Sequence, residues 1–245
     1  MKKDNDYLIY GIRPMIEAIK GGKEIEKVML QSGTKGELMQ ELSALLKEHQ
    51  IISQFVPIEK LNRMCVGNHQ GVVGFISRIS YQKLEDVLPC VYEKGKAPLV
   101  VLFDRITDVR NFGAMVRTAE CAGVDAIVIP AHNSAQINED AIKTSAGAIH
   151  TVPICREENL KTSIHFLQAS GLQVVAASEK AKQVYTNIDY TKPTAIIMGS
   201  EEDGVSPEYL KLCNEQIFIP IKGEIESLNV SVANGVILYE VVRQR

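Results

Sequence analysis

The chain has no long apolar run, no apolar leader and no paired cysteines. None of its apolar segments is long enough to cross a bilayer, and the first six residues, Met1 to Asp6, are polar and charged, unlike the apolar core of a signal peptide. The five cysteines have no metal-ligand spacing: they are Cys65, Cys90, Cys121, Cys155 and Cys213. We therefore expect a cytoplasmic protein with reduced thiols, no metal site and no membrane association.

An excess of basic residues is also missing. The net charge is -3, from 27 Lys/Arg and 30 Asp/Glu, so the chain as a whole has no electrostatic footprint for nucleic acid. Residues 1–78 carry 11 basic and 9 acidic side chains, whereas residues 98–245 carry 13 and 18. The first segment is thus only slightly better suited to binding phosphate.

Several common catalytic motifs are absent. The sequence has no G-x-G-x-x-G after a strand, no G-x-x-x-x-G-K, no His-Glu-x-x-His and no G-x-S-x-G. The histidines are far apart in the sequence and suggest no metal site: His49, His69, His132, His150 and His165. These absences disfavour an ordinary Rossmann-type nucleotide enzyme, a P-loop enzyme, a zinc protease and an α/β hydrolase.

Hydrophobic content of 45% and charged content of 23% are typical of a soluble globular protein. The pattern predicts a small αβ domain over residues 1–78, an irregular polar linker over 79–97 with a short helix at 84–92, and a larger domain over 98–245. In the first domain we expect a compact αβαβαβ unit after an entry segment at 7–12. Its predicted helices are 13–20, 37–49 and 57–64, and its predicted strands 27–30, 51–56 and 70–77.

From Pro98 onward, continuous apolar runs alternate with helical patterns. Continuous runs indicate strands buried on both faces of a parallel sheet, so we predict a doubly wound α/β domain. The predicted strands are 99–103, 125–130, 172–177, 195–198 and 216–220. The predicted helices are 111–122, 138–149, 158–169, 207–212 and 230–243.

Three stretches of this domain are candidates for chemistry. The first, from Asp104 to Ala119, turns a strand into a helix: Asn111 suits a cap or first-turn position, and Gly113 would clear space for a substrate to reach Arg117 one turn later. A plain cap and a solvated arginine are an equally good reading of these residues.

The second stretch, Met198-Gly199-Ser200-Glu201, ends a buried strand, where ligands bind in open α/β sheets. Gly199 would let a cofactor lie against the backbone, although an ordinary turn is the commoner meaning. The third stretch, Ile219 to Ala233, is a long loop followed by Ser227-Leu228-Asn229 before the last helix. Ser and Asn are expected there as helix caps, but so long a loop is more often functional than not.

In this order and at this spacing, the three stretches resemble the motifs of the SpoU-type RNA ribose 2′-O-methyltransferases of the SPOUT superfamily. Asn111-Phe-Gly-Ala-Met-Val-Arg117, Met198-Gly-Ser-Glu201 and Ser227-Leu-Asn229 match its first, second and third motifs. Residues 7–78 resemble the ribosomal-protein-like domain of bacterial enzymes that methylate a guanosine of large-subunit rRNA, with Gly11 and His69-Gln70-Gly71 as matching landmarks.

The resemblance implies an α/β fold with a deep trefoil knot, a homodimer, and S-adenosylmethionine bound in the knot. The cofactor-binding residues it implies are Gly199, Ile219, Leu228, Ala177 and Ser178. The catalytic residues it implies are Arg117, Asn111, Glu201, Asn229 and Ser227, with a helix face containing Asn111 and Arg117 meeting the partner's cofactor pocket. The sequence departs from the family at Val109, where proline is usual, and at Glu202, where a small residue is common.

The implied reaction is methyl transfer to a ribose 2′-hydroxyl of rRNA. Arginine stays protonated in proteins, so Arg117 would stabilise the developing alkoxide rather than remove its proton, and Glu201 would orient Arg117 or a neighbour. Candidate phosphate contacts for RNA are Arg13, Lys20, Lys23, Lys35 and Arg63. Two alternatives stay open: the same chemistry on tRNA, and a non-catalytic RNA-binding protein.

Overall fold

The structure is a computed structural model that describes residues 7–245. The polar start, residues 1–6, lies outside the described residues. The chain divides into two compact units, Met1–Ser80 and Tyr81–Arg245, and each is described by itself.

The first unit is a four-stranded sheet with the strand order β1-β4-β2-β3. Its elements are β1 (Leu8–Tyr10), α1 (Ile12–Lys20), β2 (Ile25–Gln31), α2 (Glu37–Glu48), β3 (Ser53–Val56), α3 (Ile58–Met64) and β4 (Val72–Ile76). Strand β4 runs antiparallel to both β1 and β2, whereas β2 and β3 are parallel. The prediction of an αβαβαβ unit missed β1, because three residues are too few to show an alternating pattern.

Amphipathic helices cover the two faces of this sheet. Helices α1 and α2 bury apolar side chains such as Met15, Ile19 and Leu42 against the β2 residues Val28 and Leu30. The opposite face is covered by α3, whose Leu61 is fully buried with Met29 and Val73. The unit therefore has its own core on both sides of the sheet.

The second unit holds a sheet with the order β7-β6-β5-β10-β8-β11-β9, in which every described pair is parallel. Its strands are β5 (Leu99–Phe103), β6 (Ala126–Pro130), β7 (Ile154–Glu157), β8 (Gln173–Ala177), β9 (Gln183–Val184), β10 (Thr194–Met198) and β11 (Glu215–Phe218). Its helices are α4 (Leu84–Glu93), α5 (Val109–Cys121), α6 (Glu139–Thr144), α7 (Leu160–Ala169), α8 (Pro207–Leu210) and α9 (Val230–Gln244), with 3₁₀ turns at Ala148–His150 and Tyr185–Asn187.

Burial on both faces explains the continuous apolar strands. Alternate residues of β5 and β10, such as Leu102 and Ile197, face a core built with α4 and α7. Phe103 points to the other face, where its ring meets Phe112 of α5 edge-on at 5.8 Å between centroids. Because α9 packs on α5, these two helices share that face, and the predicted α/β fold with a parallel sheet is confirmed.

Three predicted features differ in the structure. Residues 79–97 are not a free linker, because α4 buries Leu84 and Leu88 in the core of the second unit. The helix predicted over 138–149 breaks after α6, where Ala146 and Gly147 have φ angles of 51° and 87°. Strands β7 and β9 were not predicted, because β7 ends in charged residues and β9 has only two residues.

Among the described residues, no helix is both long enough and apolar enough to cross a membrane.

Candidate active site

A cavity of about 610 Å³ lies at the carboxyl ends of β8, β10 and β11. The structure brings all five predicted cofactor-binding residues to its wall, together with the predicted catalytic residues Glu201 and Ser227. Those five residues are Ala177, Ser178, Gly199, Ile219 and Leu228. They come from three strand ends and from the loop before α9, which are far apart in the sequence, so the fold converts the three motifs into one site.

Gly199 is required by backbone packing. A Cβ atom at this position would lie 2.0 Å from the Gly204 carbonyl carbon and 2.1 Å from the Val205 nitrogen. We expected this glycine to let a ligand lie against the backbone. In the structure, the atoms nearest to Gly199 belong to the backbone of Gly204 and Val205. Any larger residue would push the loop at 200–204 away from β10.

The cavity is apolar at its base and acidic at its rim. Its wall carries aliphatic side chains from α9, such as Val230 and Ile237. Its charged lining consists of Glu179, Lys180, Glu201, Glu202, Asp203 and Glu226. With five carboxylates and one ammonium, this lining suits a cationic ligand that also carries an apolar part.

A hydrogen-bonded network joins the three motifs at the edge of this cavity. The side-chain amides of Asn111 and Asn229 both donate to Glu201 Oε1, at 2.9 Å and 2.7 Å. Asn229 Nδ2 also lies 3.2 Å from Asn111 Oδ1. Among the described residues Glu201 Oε2 has no partner, so the network presents one free carboxylate oxygen to a ligand.

Helix capping places both asparagines. Asn229 caps α9, and its Oδ1 accepts from the backbone nitrogen of Ser231 at 3.0 Å, so its amide group points outward to Glu201. Asn111 lies in the first turn of α5, where its backbone nitrogen donates to the cap residue Asp108 at 2.7 Å. Asn229 therefore caps a helix and Asn111 occupies a first helical turn, while the side-chain amides of both also belong to the polar network of the site.

Arg117 is exposed on α5, and its side chain makes no hydrogen bond or ion pair among the described residues. It does not line the cavity of its own chain, and Glu201 bonds Asn111 and Asn229 instead of Arg117. The expectation that Gly113 clears space for a substrate is wrong. A Cβ on Gly113 would meet Ala141 O at 2.8 Å, so this glycine allows α5 and α6 to pack closely.

A second polar network, missed by the sequence analysis, holds the loop at 200–204. The buried Asp104 accepts from the backbone nitrogen and hydroxyl of Ser206 at 2.6 Å and 2.7 Å, and from Arg105 Nε at 3.0 Å. Arg105 also donates to Asp203 and to Gly204 O, both at 3.0 Å. The hydrogen bond to Asp104 is the main cause of a raised pKa at Arg105, and Asp203 adds to it. In the sequence, this network is indicated by Asp104, an aspartate directly after the buried strand β5.

A smaller cavity of about 290 Å³ adjoins the first across the same loop. The stretch Ser200–Asp203 and Val230 line both cavities, and Asn111, Asp108 and Arg105 line the smaller one. The network around Glu201 thus lies between the two cavities, and Glu201 itself lines both of them.

In the first unit, the five predicted RNA contacts are exposed but not clustered. Arg13 and Lys35 flank one turn, because Gln70 Oε1 accepts from the Ile12 nitrogen at 3.4 Å and Gly71 faces Thr34. Lys20 and Lys23 lie at the other end of α1. Lys20 Nζ forms an ion pair with Glu41 at 2.6 Å, so its charge is already compensated. Arg63 lies in the last turn of α3.

His69 holds the turn between Arg13 and Lys35. Its Nδ1 accepts from the Gly71 nitrogen at 3.0 Å, which leaves its Nε2 to donate to Asn62 Oδ1 at 2.8 Å. The ring is buried, so His69 acts as a structural residue of the turn at Gln70. No group of three or more metal-ligating side chains occurs within residues 7–245.

Comparison with known proteins matches both units to family models. Residues 98–239 match the SpoU rRNA Methylase family, and residues 8–82 match the domain described as RNA 2′-O ribose methyltransferase substrate binding. A protein of Bacillus subtilis that is assigned by name to the TrmH family of tRNA/rRNA methyltransferases is 33% identical over 245 residues, covering 100% of this chain and 98% of its own length.

Solved structures of RNA-modifying enzymes are also similar to this chain. The AdoMet-bound rRNA methyltransferase from Sinorhizobium meliloti is similar with a TM-score of 0.62 and 26% identity, over 97% of this chain and 87% of that one. The TrmH/SpoU tRNA-modifying enzyme of A. aeolicus is 35% identical with a TM-score of 0.56, over 66% of this chain and 84% of that one.

Proposed function

Since the chain belongs to the SpoU rRNA methylase family of RNA methyltransferases, we propose that it transfers a methyl group from S-adenosylmethionine to the ribose 2′-hydroxyl of a guanosine in large-subunit rRNA. The observation that carries this proposal is the network of Asn111, Glu201 and Asn229, which lies between a cavity suited to a cationic cofactor and a second, polar cavity.

The residues of the larger cavity fit S-adenosylmethionine. The carboxylates of its rim complement the sulfonium and ammonium charges of this molecule, and apolar residues such as Ile219 and Leu228 offer a surface for its adenine ring. Leu228 and Ile221, which both line the cavity, are 39% and 38% exposed, so a bound ligand would cover apolar surface that now faces solvent. When bound, S-adenosylmethionine supplies the electrophilic methyl group.

Arg117 supplies the positive charge for the transfer. As the 2′-oxygen attacks, it becomes alkoxide-like, and a guanidinium held against it and the adjacent phosphate lowers the barrier, while the proton leaves to phosphate or water. The free oxygen of Glu201 would orient either this guanidinium or the ribose, and Ser227 and Asn229 would hold the loop and the nucleotide. Correct positioning alone can lower the free-energy barrier of the reaction by roughly 7–11 kcal/mol.

This mechanism requires a homodimer, because Arg117 does not line the cavity of its own chain. Helix α9 supports such an assembly: Val232, Tyr239 and Val242 are 51%, 54% and 43% exposed, and α9 packs beside the helix that carries Arg117. A partner docked on this surface would cover apolar area and could receive Arg117 in its own cavity. We also propose that the segment after Pro220 is threaded as a trefoil knot, which the family fold implies.

The first unit supports an RNA substrate, since it matches a substrate-binding domain of RNA 2′-O ribose methyltransferases. Support for rRNA comes from the rRNA methyltransferase of Sinorhizobium meliloti, which is similar over 97% of this chain. Arg13, Lys35 and the other exposed basic residues would contact phosphates. One observation favours tRNA instead, because the tRNA-modifying enzyme of A. aeolicus is 35% identical over 66% of this chain.

The test is to map 2′-O-methylated nucleotides in rRNA and tRNA from cells with and without this protein. We expect one guanosine of large-subunit rRNA to lose its methyl group when the protein is absent. Loss of a tRNA methyl group instead would favour the tRNA reading. Calorimetric titration with S-adenosylmethionine separates both from a non-catalytic RNA-binding protein, which should not bind this cofactor.

A further inference from the structure

Arg105 has an unusual backbone for its residue type. It is the second residue after β5 and has a φ angle of 57°, in the left-handed region that favours glycine. Strain at a non-glycine residue persists where the surrounding contacts hold it, and it is concentrated at functional sites. The side chain of Arg105 must therefore make contacts that compensate for this backbone.

Those contacts tie two segments together. The guanidinium bonds both oxygens of Asp104, at 3.0 Å and 3.3 Å, and it reaches across to Asp203 Oδ2 and Gly204 O at 3.0 Å each. Asp104 is 1% exposed, so one end of this bridge is fixed in the protein interior. The other end is a loop whose Asp203 side chain is 70% exposed.

The loop held by Arg105 is the wall between the two cavities. Its ends are joined by two backbone hydrogen bonds between Ser200 and Gly204, at 3.0 Å and 3.1 Å, and its tip carries Glu201, Glu202 and Asp203. Three adjacent carboxylates repel each other, and this repulsion favours an open loop. The charge of Arg105 opposes that tendency, because it pairs with the third carboxylate.

We infer that Arg105 is a positioning residue that holds the Ser200–Gly204 loop in the conformation that binds the methyl donor. This inference rests on the proposed function, in which the larger cavity binds S-adenosylmethionine. Arg105 does not line that cavity, so its effect on the cofactor is transmitted through Asp203 and Gly204, which do. The same loop places Glu201 against Asn111 and Asn229.

The decisive variant is Arg105→Gly, because glycine accepts the left-handed backbone, so the side chain is removed without added backbone strain. In calorimetric titration of the full chain with S-adenosylmethionine, we expect the dissociation constant to rise about tenfold or more. A loop that occupies its binding conformation about a tenth of the time weakens affinity by that factor. Arg105→Lys, which keeps the charge without the planar fork, should recover part of the affinity.

The matched control is Gln50→Gly. Gln50 is another exposed non-glycine residue with a left-handed backbone, at a φ of 52°, and it lies in the first unit after α2. This control makes the same kind of backbone change far from the loop, and its affinity for S-adenosylmethionine should equal that of the parent.

The outcomes separate this inference from the proposed function. If the parent chain itself does not bind S-adenosylmethionine, both are overturned. If the parent binds and Arg105→Gly binds equally well, only the role of Arg105 is overturned. Should Arg105→Gly fail to fold, Asp203→Asn removes the charge at the exposed end of the bridge without touching Asp104, and Glu202→Gln is its control because it removes the same charge from the cavity without a bond to Arg105. A loss of affinity in Asp203→Asn several times larger than in Glu202→Gln supports the inference, and equal losses reject it.

Discussion

In the second unit, two amide side chains from distant parts of the chain converge on one carboxylate oxygen of Glu201, whereas in the first unit the basic side chains lie apart. Asn111 and Asn229 reach Glu201 across 90 and 28 residues of sequence. In the first unit Arg13 and Lys35 flank one turn, while Lys20 is paired at the other end of α1. The difference indicates two functions. The network of the second unit can position reacting atoms, and the dispersed charges of the first unit can bind a long polyanion. Variants of the second unit should therefore change the rate of the methyl-transfer step, and those of the first unit should change RNA binding.

The largest effect is expected at Arg117. Arg117→Ala should lower single-turnover methyl transfer by about 10²–10³-fold, the cost of removing one preorganised stabilising group. The affinity for S-adenosylmethionine should change little, because Arg117 does not line the cavity of its own chain and, in the proposed dimer, contacts the ribose oxygen and phosphate of the RNA. A tritiated-methyl transfer assay on rRNA, with saturating cofactor, measures the rate.

Arg110→Ala is the control for this variant, since Arg110 is an exposed arginine of the same helix that does not line either cavity. Equal turnover by Arg117→Ala and the parent would remove Arg117 from the mechanism.

A smaller effect is expected for Glu201→Gln. Glutamine keeps an acceptor for the two asparagine amides but loses the charge, and a hydrogen bond to a charged group contributes about 1.5–3 kcal/mol. We therefore expect the transfer rate to fall roughly ten- to a hundredfold. Glu202→Gln changes the charge of the cavity equally but leaves the network intact, so its rate should fall less. Equal losses in both variants would mean that charge alone matters.

The double variant Arg13→Ala/Lys35→Ala tests the first unit. We expect the KM for rRNA to rise several-fold with kcat nearly unchanged, because phosphate contacts hold the RNA but do not touch the reacting atoms. The slope of log affinity against log salt concentration should become shallower by about one to two units. Filter binding across a salt series measures this slope, and an unchanged slope would exclude both residues as phosphate contacts.

The smallest effect is expected for Lys20→Ala. Lys20 is paired with Glu41 on the surface, so its removal should change the KM for rRNA less than twofold. Lys23→Ala, at the same end of α1 and also exposed, is the comparison. A loss at Lys20 as large as that of the Arg13/Lys35 pair would mean that RNA covers the whole of α1.

Local patterns predicted most elements of both units. The strands Leu99–Phe103 and Thr194–Met198 were recognisable because both faces of each are buried, which leaves a continuous apolar run. The order of the strands was not predictable in this way, since β10 pairs with β5 across almost a hundred residues. Strand β1 was missed because its three residues are too few for a periodic signal.

Most residues of the candidate site could be predicted from the sequence, but the contacts between them could not. Motif spacing indicated Asn111, Glu201 and Asn229, but it did not show that both asparagines bond the same oxygen of Glu201. The bridge from Arg105 to Asp203 was invisible in the sequence, because 98 residues separate them and an arginine in a left-handed backbone has no periodic signature. Contacts between distant side chains depend on the assembled sheet, which sequence patterns do not specify.

The position of β10 has a consequence for how the chain folds. This strand lies between β5 and β8, both earlier in the sequence, so the central pairing of the sheet cannot form until residues 194–198 are available. The residue after α9 adds contacts of still longer range, since Arg245 donates to the carbonyl oxygens of Ala97 and Pro98. Folding rates fall as the mean sequence separation of native contacts rises. We therefore expect the second unit to refold much more slowly than the first, and to expose the edges of β5 and β8 to aggregation while it does so.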